Sequence, residues 1–307
     1  MLLLLLACSE EERAASEPQI QEPPILLVGA RAIGIAIESG GKTALITVED
    51  GSRLSRANLV TGDLTIITDW TYPPLGYEWL GRFSGIAIES GGTTTLITTT
   101  NIHRGSIHTG GELMRVDLIT GNLKVIATGF HFPRYALGLA IEEGGKTALV
   151  ADMCNVTRVN LNDGAKVHIA EIQPCTDPSY DYDAGPDWEV ALVIESSRET
   201  ALLLYGGILS RVNLLTGKMT LLTGFMPLLW SKTGLALEPS GKTALVTMTV
   251  SNPYYLHPGG LLRVDLDTGE ITTVRKLGSP LGVAVEEGGK TALVGSMTGV
   301  WRVKLVP

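Results

Sequence analysis

Basic runs are missing from this chain: nowhere do more than two Lys or Arg residues stand together, and the net charge is −8. Neutralising phosphates takes a basic stripe, so nucleic acid is excluded as a partner and a solvated acidic surface is expected. Also absent are a nucleophile elbow, a Cys-x-x-Cys pair and a catalytic triad whose geometry the sequence could support. A phosphate-binding loop is excluded too. Gly40-Gly41-Lys42-Thr43 resembles the end of one, but the Gly required five residues before the Gly-Lys pair is Ala36, and no helical pattern follows. Glycine, by contrast, is plentiful at 36 residues, which fits a chain of many hairpin turns.

What is present is a repeat. A segment reading Gly-x-Ala-x-Glu, a Gly-Gly-Lys-Thr-like turn, then Ala-Leu-Val/Ile starts at Gly34, Gly85, Gly138, Ala191, Gly234 and Gly282. Successive copies lie 51, 53, 53, 43 and 48 residues apart. Each is followed by a second motif, Leu-x-Arg-Val-Asn/Asp-Leu-x-Thr-Gly, cleanest at 209–217 and 261–269. Short apolar strands and tight turns at a period of roughly 40–50 residues predict β-propeller blades. The fold class is therefore all-β, a six-bladed β-propeller spanning 25–307 as one domain.

In the first unit the pattern predicts strands over 33–38, 43–48, 53–59 and 64–69. Gly34 and Ala36 alternate with Ile35 and Ile37, so small residues let the innermost strands crowd around the axis. The last unit stops after three strands, at Val300–Leu305, whereas an unmatched strand, residues 25–28, precedes the first. Pairing that strand onto the sixth blade is expected to close the ring and remove its open edges. The Gly-Ile/Leu-Ala-Ile/Leu-Glu, Ala-Leu-Val/Ile and Arg-Val-Asp/Asn-Leu strands together resemble the NHL-repeat superfamily of six-bladed propellers. That resemblance covers nearly everything from residue 25 onward and implies gluconolactonase-like and virginiamycin-lyase-like relatives. It specifies fold far better than chemistry.

Leu5-Leu6-Ala7-Cys8 resembles the lipobox of bacterial lipoproteins, which implies lipid attachment at Cys8. No Lys or Arg precedes the leucines, so residues 1–8 read as the remnant of a signal whose charged n-region lies upstream of the assigned start. Residues 9–24 are acidic and Pro-rich with little to bury, the composition of a disordered tether. An extracytoplasmic, membrane-anchored protein, periplasmic or on the cell surface, follows as the expectation, with membrane contact only through the lipid anchor. In such an oxidising compartment Cys154 and Cys175 can form a disulfide; two buried thiols are the alternative.

Both recurring hairpins of each unit must share one end of the ring, and that end reads as inert. One Arg per unit (Arg56, Arg115, Arg158, Arg211, Arg263, Arg302) is expected to pack its stem between blades and satisfy carbonyls or acids. The glutamates before each first hairpin, from Glu38 to Glu286, read as solvated turn residues. The irregular loops fall on the other end: 69–84, 99–112, 129–137, 173–190, 224–233 and 248–260. Function usually resides on such loops. They carry Trp70, Tyr77, Trp79, Arg82, His103, His108, His131, Arg134, Tyr135, Tyr182, Trp188, Trp230, Tyr254 and Tyr255. Large aromatics and Arg make efficient contacts, so these residues form the candidate binding face.

Within 181–189, Asp181, Asp183, Asp187 and Glu189 alternate around a Gly turn, a pattern that can converge oxygens on calcium. A solvated acidic loop is the alternative. Glu189 precedes an innermost strand, where the resemblance to gluconolactonase-like propellers implies a metal-binding acid. The other mouth positions, approximately Ala32, Phe83, Ala136, Lys232 and Pro280, lack the accompanying ligands. No catalytic residues can be assigned. The expected function is a lipid-anchored scaffold binding an envelope or surface protein, or a surface polymer, through the long-loop face. A metal-dependent lactonase or lyase with its site at the channel mouth is the alternative, and a purely structural role is a third.

Overall fold

The computed structural model describes residues 23–48, 53–69, 79–103, 111–130, 138–172, 190–225, 234–249 and 259–305. Its strands form six four-stranded antiparallel sheets, the blades of a propeller. Strand β1 (Ile25–Val28) precedes blade 1, which runs β2 (Ala32–Ile37), β3 (Thr43–Val48), β4 (Arg53–Asn58) and β5 (Leu64–Asp69). Blade 2 holds β6 (Trp79–Ile88), β7 (Thr94–His103), β8 (Gly111–Asp117) and β9 (Leu123–Phe130). Blade 3 holds β10 (Gly138–Ile141), β11 (Thr147–Ala151), β12 (Asn155–Asn160) and β13 (Lys166–Glu171). Blade 4 holds β14 (Val190–Ile194), β15 (Thr200–Tyr205), β16 (Ile208–Asn213) and β17 (Met219–Gly224). Blade 5 holds β18 (Leu235–Leu237), β19 (Thr243–Met248), β20 (Gly260–Asp265) and β21 (Ile271–Lys276). Blade 6 contributes β22 (Pro280–Val285), β23 (Thr291–Ser296) and β24 (Gly299–Lys304), and β1 supplies its fourth strand.

The repeated Ala-Leu-Val/Ile of each second strand has a direct packing explanation. A strand sandwiched between two neighbouring blades is buried on both faces, so it reads as a continuous apolar run. In β3, Ala44 and Ile46 face blade 6 while Leu45 faces blade 2. The same split recurs in β23, where Leu293 packs toward blade 1 and Ala292 and Val294 toward blade 5. Six hydrophobic clusters result, one at each blade-to-blade interface. The core is a ring of interfaces, as expected when sheets stack radially.

Closure by β1 is as the sequence predicts. Ile25 stands opposite Arg302, Leu26 opposite Trp301 and Val28 opposite Val300. Val28 is 1% exposed and joins Leu293 and Val300 in the cluster that seals blade 6 to blade 1. A second relationship shows that β1 is a true fourth strand. Each Thr-Gly or Asp-Gly turn between third and fourth strands leans on the outer strand of the preceding blade. A Cβ on Gly121, Gly164, Gly217 or Gly269 would strike the carbonyl oxygen of Ile67, Ile126, Ile169 or Leu222 respectively. At Gly62 the carbonyl struck is that of Leu27, in β1. These glycines also adopt positive φ, so no other residue fits both constraints.

The innermost strands also approach closely. A Cβ on Gly34 would lie 2.5 Å from the Ser84 oxygen of blade 2, and one on Gly282 would strike Ile33 of blade 1. Bulges interrupt the inner ladders of blades 1, 2 and 6, between Ala32 and Ile35, Phe83 and Ile86, and Pro280 and Val283. In the first two, a buried threonine hydroxyl serves the displaced amide: Thr47 Oγ1 accepts from Gly34 N at 2.7 Å, and Thr98 Oγ1 from Gly85 N at 2.8 Å. Thr247 repeats this for Gly234 and also bonds the Leu281 carbonyl of blade 6.

Two expectations are corrected. The segments 69–84 and 99–112 were expected as loops, but β6 begins at Trp79 and β7 continues to His103. Trp79, Arg82 and His103 are therefore strand residues, Trp79 standing opposite His103 and Arg82 opposite Thr100. The Thr- and Ile-rich stretch 97–102 suits a strand, and pairing extends the blade 2 hairpin beyond the repeat boundary. The six glutamates are not solvated turn residues either. Every one is held by the arginine of its own blade.

Candidate functional site

The two ends of the ring differ in kind. At the short-hairpin end each blade builds the same network. Arg56 Nε donates to Glu38 Oε2 at 2.8 Å and its Nη2 to Oε1 at 2.9 Å. Equivalent two-bond pairs join Arg115 to Glu89, Arg158 to Glu142, Arg211 to Glu195, Arg263 to Glu238 and Arg302 to Glu286. The threonine that opens the second strand completes it: Thr147, Thr200 and Thr243 donate to the same carboxylates at 2.6–2.7 Å. In blade 3, Arg158 also reaches the Leu214 carbonyl of the next blade at 3.4 Å.

Burial alone raises the Glu38, Glu89 and Glu142 pKa values. The hydrogen bonds from arginine and threonine and the arginine charge outweigh it, so all three lie below the ordinary carboxylate value. Correspondingly, the Glu38 and Glu142 carboxylates raise Arg56 and Arg158 through their hydrogen bonds. Six copies of one two-bond pair explain why the motif repeats: in every blade the glutamate and arginine are used to join strands of that blade.

The third-to-fourth strand turns of this end are also self-contained. Asp117 Oδ1 accepts from the Thr120 and Ile119 amides, which holds its pKa low, and Asp265 does the same with Thr268 and Asp267. Asn58 and Asn213 serve the same positions in blades 1 and 4.

The opposite end carries the connections of varied length. Three are short near blade 6: residues 29–31 into β2, 277–279 into β22 and 297–298 between β23 and β24. The last is closed by Ser296, whose Oγ accepts from Thr298 N, Gly299 N and Trp301 Nε1 at 3.1–3.2 Å. In blade 3, buried Asp152 plays that part, its Oδ1 accepting from Cys154 N at 2.8 Å and Asn155 N at 2.7 Å. The long connections attach to blades 1 to 5. Connection length at this end is thus uneven around the ring, uniformly short at blade 6 and mixed in the other blades.

Most of the predicted face falls in those connections. Trp70, Tyr77, His108, His131, Arg134, Tyr135, Tyr182, Trp188, Trp230, Tyr254 and Tyr255 lie outside the described residues, as do Cys8, Asp181, Asp183, Asp187 and Glu189. Trp79, Arg82 and His103 are brought together on one hairpin, the antiparallel pair at the long-loop end of blade 2. Among the described residues no three His, Cys, Asp or Glu side chains gather to hold a metal. Cys154 is buried beside Asp152, and its expected partner Cys175 lies outside the described residues. Of the mouth positions, Ala32 and Phe83 are buried, Phe83 against Leu45, Leu54 and Ile97, so neither presents a ligand to the channel.

Sequence reasoning missed Arg31 and Asp152. Arg31 stands in the connection into β2 with its Nε buried, and Asp152 is a buried carboxylate in a three-residue turn. Asp152 occurs in a single blade, so the repeat gives no signal for it; the useful signal is the reverse, a charged residue at a position where other units carry none. Arg31 stands three residues before Gly34 as Arg82 stands three before Gly85, so comparing blades 1 and 2 is the signal that finds it.

No family model matches the chain, and no curated protein matches it. Solved structures do. A protein of unknown function from Bacteroides thetaiotaomicron VPI-5482 is similar with a TM-score of 0.64 at 11% identity, over 93% of this chain and 72% of that one. A chain of a nidogen/laminin complex is similar at 0.56 and 12% identity, over 80% of this chain and 79% of its own. An oligogalacturonate lyase in complex with manganese is similar at 0.53 and 14% identity, over 91% and 78%. At these identities the likeness shows the fold alone: this chain is a six-bladed β-propeller, an architecture that serves both binding scaffolds and enzymes.

Proposed function

We propose that the protein is an extracytoplasmic, lipid-anchored propeller of NHL type that binds an envelope or surface protein, or a surface polymer, through its long-loop face. The observation that carries this reading is the contrast between the two ends. One end repeats an ion-pair network in all six blades, whereas variation in connection length is confined to the other. A rigid scaffold with one variable end is the usual arrangement for recognition. Attachment through Cys8 and a Cys154–Cys175 bridge belong to the same proposal, the bridge resting on the oxidising compartment that the anchor implies.

Capture of partners from envelope extracts by the wild-type protein and by Trp79→Ala, Trp188→Ala and Tyr255→Ala tests it. Weaker capture by these variants is expected. Unchanged capture by all three would remove the long-loop end as the binding face.

A metal-dependent lactonase or lyase is the second reading. What favours it is the similar fold of a lyase that holds manganese, set beside the acids Asp181, Asp183, Asp187 and Glu189 of this chain. Metal-dependent turnover of a lactone or uronate panel that disappears in Glu189→Gln would support it; full activity in that variant counts against it.

A further inference from the structure

We propose that the short-hairpin end of the ring lies against the lipid surface, resting on the apolar turn tips Val60, Ile119 and Leu215, and that the binding face points away from the membrane. The direction in which the chain enters the ring is the first argument. Strand β24 runs from Gly299, beside the 297–298 turn of the long-loop end, to Lys304 at the hairpin end, where Leu305 N bonds the Lys290 carbonyl. Strand β1 is antiparallel to it, with Ile25 opposite Arg302 and Val28 opposite Val300. The chain therefore enters β1 from the hairpin end. Residues 9–24, read from composition as a tether, join the propeller at that end. A lipid on Cys8 then holds the hairpin end toward the bilayer. To this extent the proposal rests on the anchor reading.

The second argument comes from the turns and does not depend on Cys8. Val60, Ile119 and Leu215 occupy the same projecting position of the third-to-fourth strand turns in blades 1, 2 and 4, and are 79%, 82% and 92% exposed. Blades 3 and 5 place Asn162 and Asp267 there and build the same turn. The turn is closed by the side chain two residues earlier, so its geometry asks nothing apolar of this position. A lone exposed aliphatic residue is ordinary on a protein surface. Three at one equivalent position, where turn chemistry favours Asn, Asp or Gly, need another cause.

Charge decides which kind of membrane this end can meet. Six arginines neutralise six glutamates here, but Glu143, Glu199, Glu287, Asp63, Asp117, Asp163, Asp265, Asp267 and Glu270 stand beside Lys42, Lys146, Lys242, Lys290, Arg198, Lys218 and Lys304, a small acidic excess. The contact is therefore apolar and suited to zwitterionic lipid, with no electrostatic attraction to anionic headgroups. Apolar area buried at the interface adds to the affinity of an anchored chain, and a second weak signal turns marginal attachment into a stable one. The contact departs from the expectation that the anchor alone touches the membrane.

The test uses the full, lipid-modified chain in phosphatidylcholine vesicles with brominated acyl chains. A fluorophore is placed on Leu215→Cys at the hairpin end or on Thr298→Cys at the long-loop end. Quenching about threefold stronger at 215 than at 298 is expected for insertion at the interface. Equal quenching in a chain that floats with the vesicles overturns the apposition and leaves the anchor standing. A chain that does not float, and behaves like Cys8→Ser, overturns the anchor reading and the orientation with it.

In a chain carrying Val60→Asn, Ile119→Asn and Leu215→Asn, a label on Ser39→Cys should lose most of its quenching while the thermal midpoint stays unchanged. Undiminished quenching removes the tips from the contact. A label shielded in native envelope membranes but not in pure vesicles assigns the tips to a protein partner and overturns the lipid contact.

Discussion

Glu238 holds Arg263 through two parallel bonds, Nε to Oε2 at 2.8 Å and Nη2 to Oε1 at 2.9 Å, with the side chains only 8% and 20% exposed. Thr243 Oγ1 adds a third bond to the same carboxylate at 2.6 Å. Glutamate ends the inner strand, threonine begins the second and arginine lies in the third, so one network ties three strands of a blade together.

Removing only the arginine strands a largely buried carboxylate. Arg263→Leu should cost about 2–3 kcal/mol in urea denaturation, and Arg263→Leu with Glu238→Leu should cost distinctly less, because the unpaired charge is gone. Additive losses in the double variant would show that the pair is not coupled.

The carboxylates of Glu38, Glu89 and Glu142 sit below the ordinary value of 4.5, arginine and threonine bonds outweighing the burial that raises them. A depressed carboxylate contributes stability that is fully present above its unfolded pKa. That stability is lost as pH falls through the folded value. Unfolding free energy should therefore be flat from neutral pH down to about pH 5 and then decline steeply. Glu142→Gln should reduce the steepness of that decline, as read by denaturant titrations at fixed pH.

Ring closure depends on a strand that enters from the other terminus. Val28→Asp places a charge in the sealed cluster with Leu293 and Val300 and should cost about 3–5 kcal/mol. Because it also frees the edge of β24, the variant should self-associate, which light scattering detects. An unchanged midpoint and a monodisperse sample would show that blade 6 stands without β1.

The segment from Cys154 to Cys175 contains the third and fourth strands of blade 3. Cys154→Ser should lower stability by roughly 3 kcal/mol in the chain-entropy description of such a bridge. Thiol counting on the unfolded, non-reduced protein checks the pairing itself; free thiol at both positions in the secreted protein refutes it.

For the acidic segment 181–189, the thermal midpoint should rise on adding millimolar calcium and return with EDTA, the shift being absent in Asp183→Asn. A ligand that binds only the folded state must raise the midpoint as it saturates. No shift with calcium or other divalent ions eliminates the site.

The architecture was legible because stacked blades repeat one packing problem six times. Ala-Leu-Val marks a strand buried on both faces, Gly at the turns marks close approach, and the orphan strand at residues 25–28 marks closure. The glutamates were misread because a charge before a hairpin looks solvated in one dimension. Glu38 and Arg56 are separated along the chain and adjacent only once strands two and three have folded between them. Strand extension to Trp79 and His103 follows the same rule: the composition of 97–102 permits a strand, but pairing beyond the repeat boundary needs the partner strand at 79–83.

By itself, then, the sequence determined the blade count, the closing strand and which end of the ring varies, since each follows from periodic burial and turn chemistry. Tertiary structure decided what periodicity cannot express. It paired each glutamate with its arginine, set β1 antiparallel to β24 so that the chain enters from the hairpin end, and brought Val60, Ile119 and Leu215 to one end of the ring. Those relationships arise from contacts between segments apart in the sequence: folding of each blade makes the glutamate–arginine pairs, and closure of the ring sets β1 against β24.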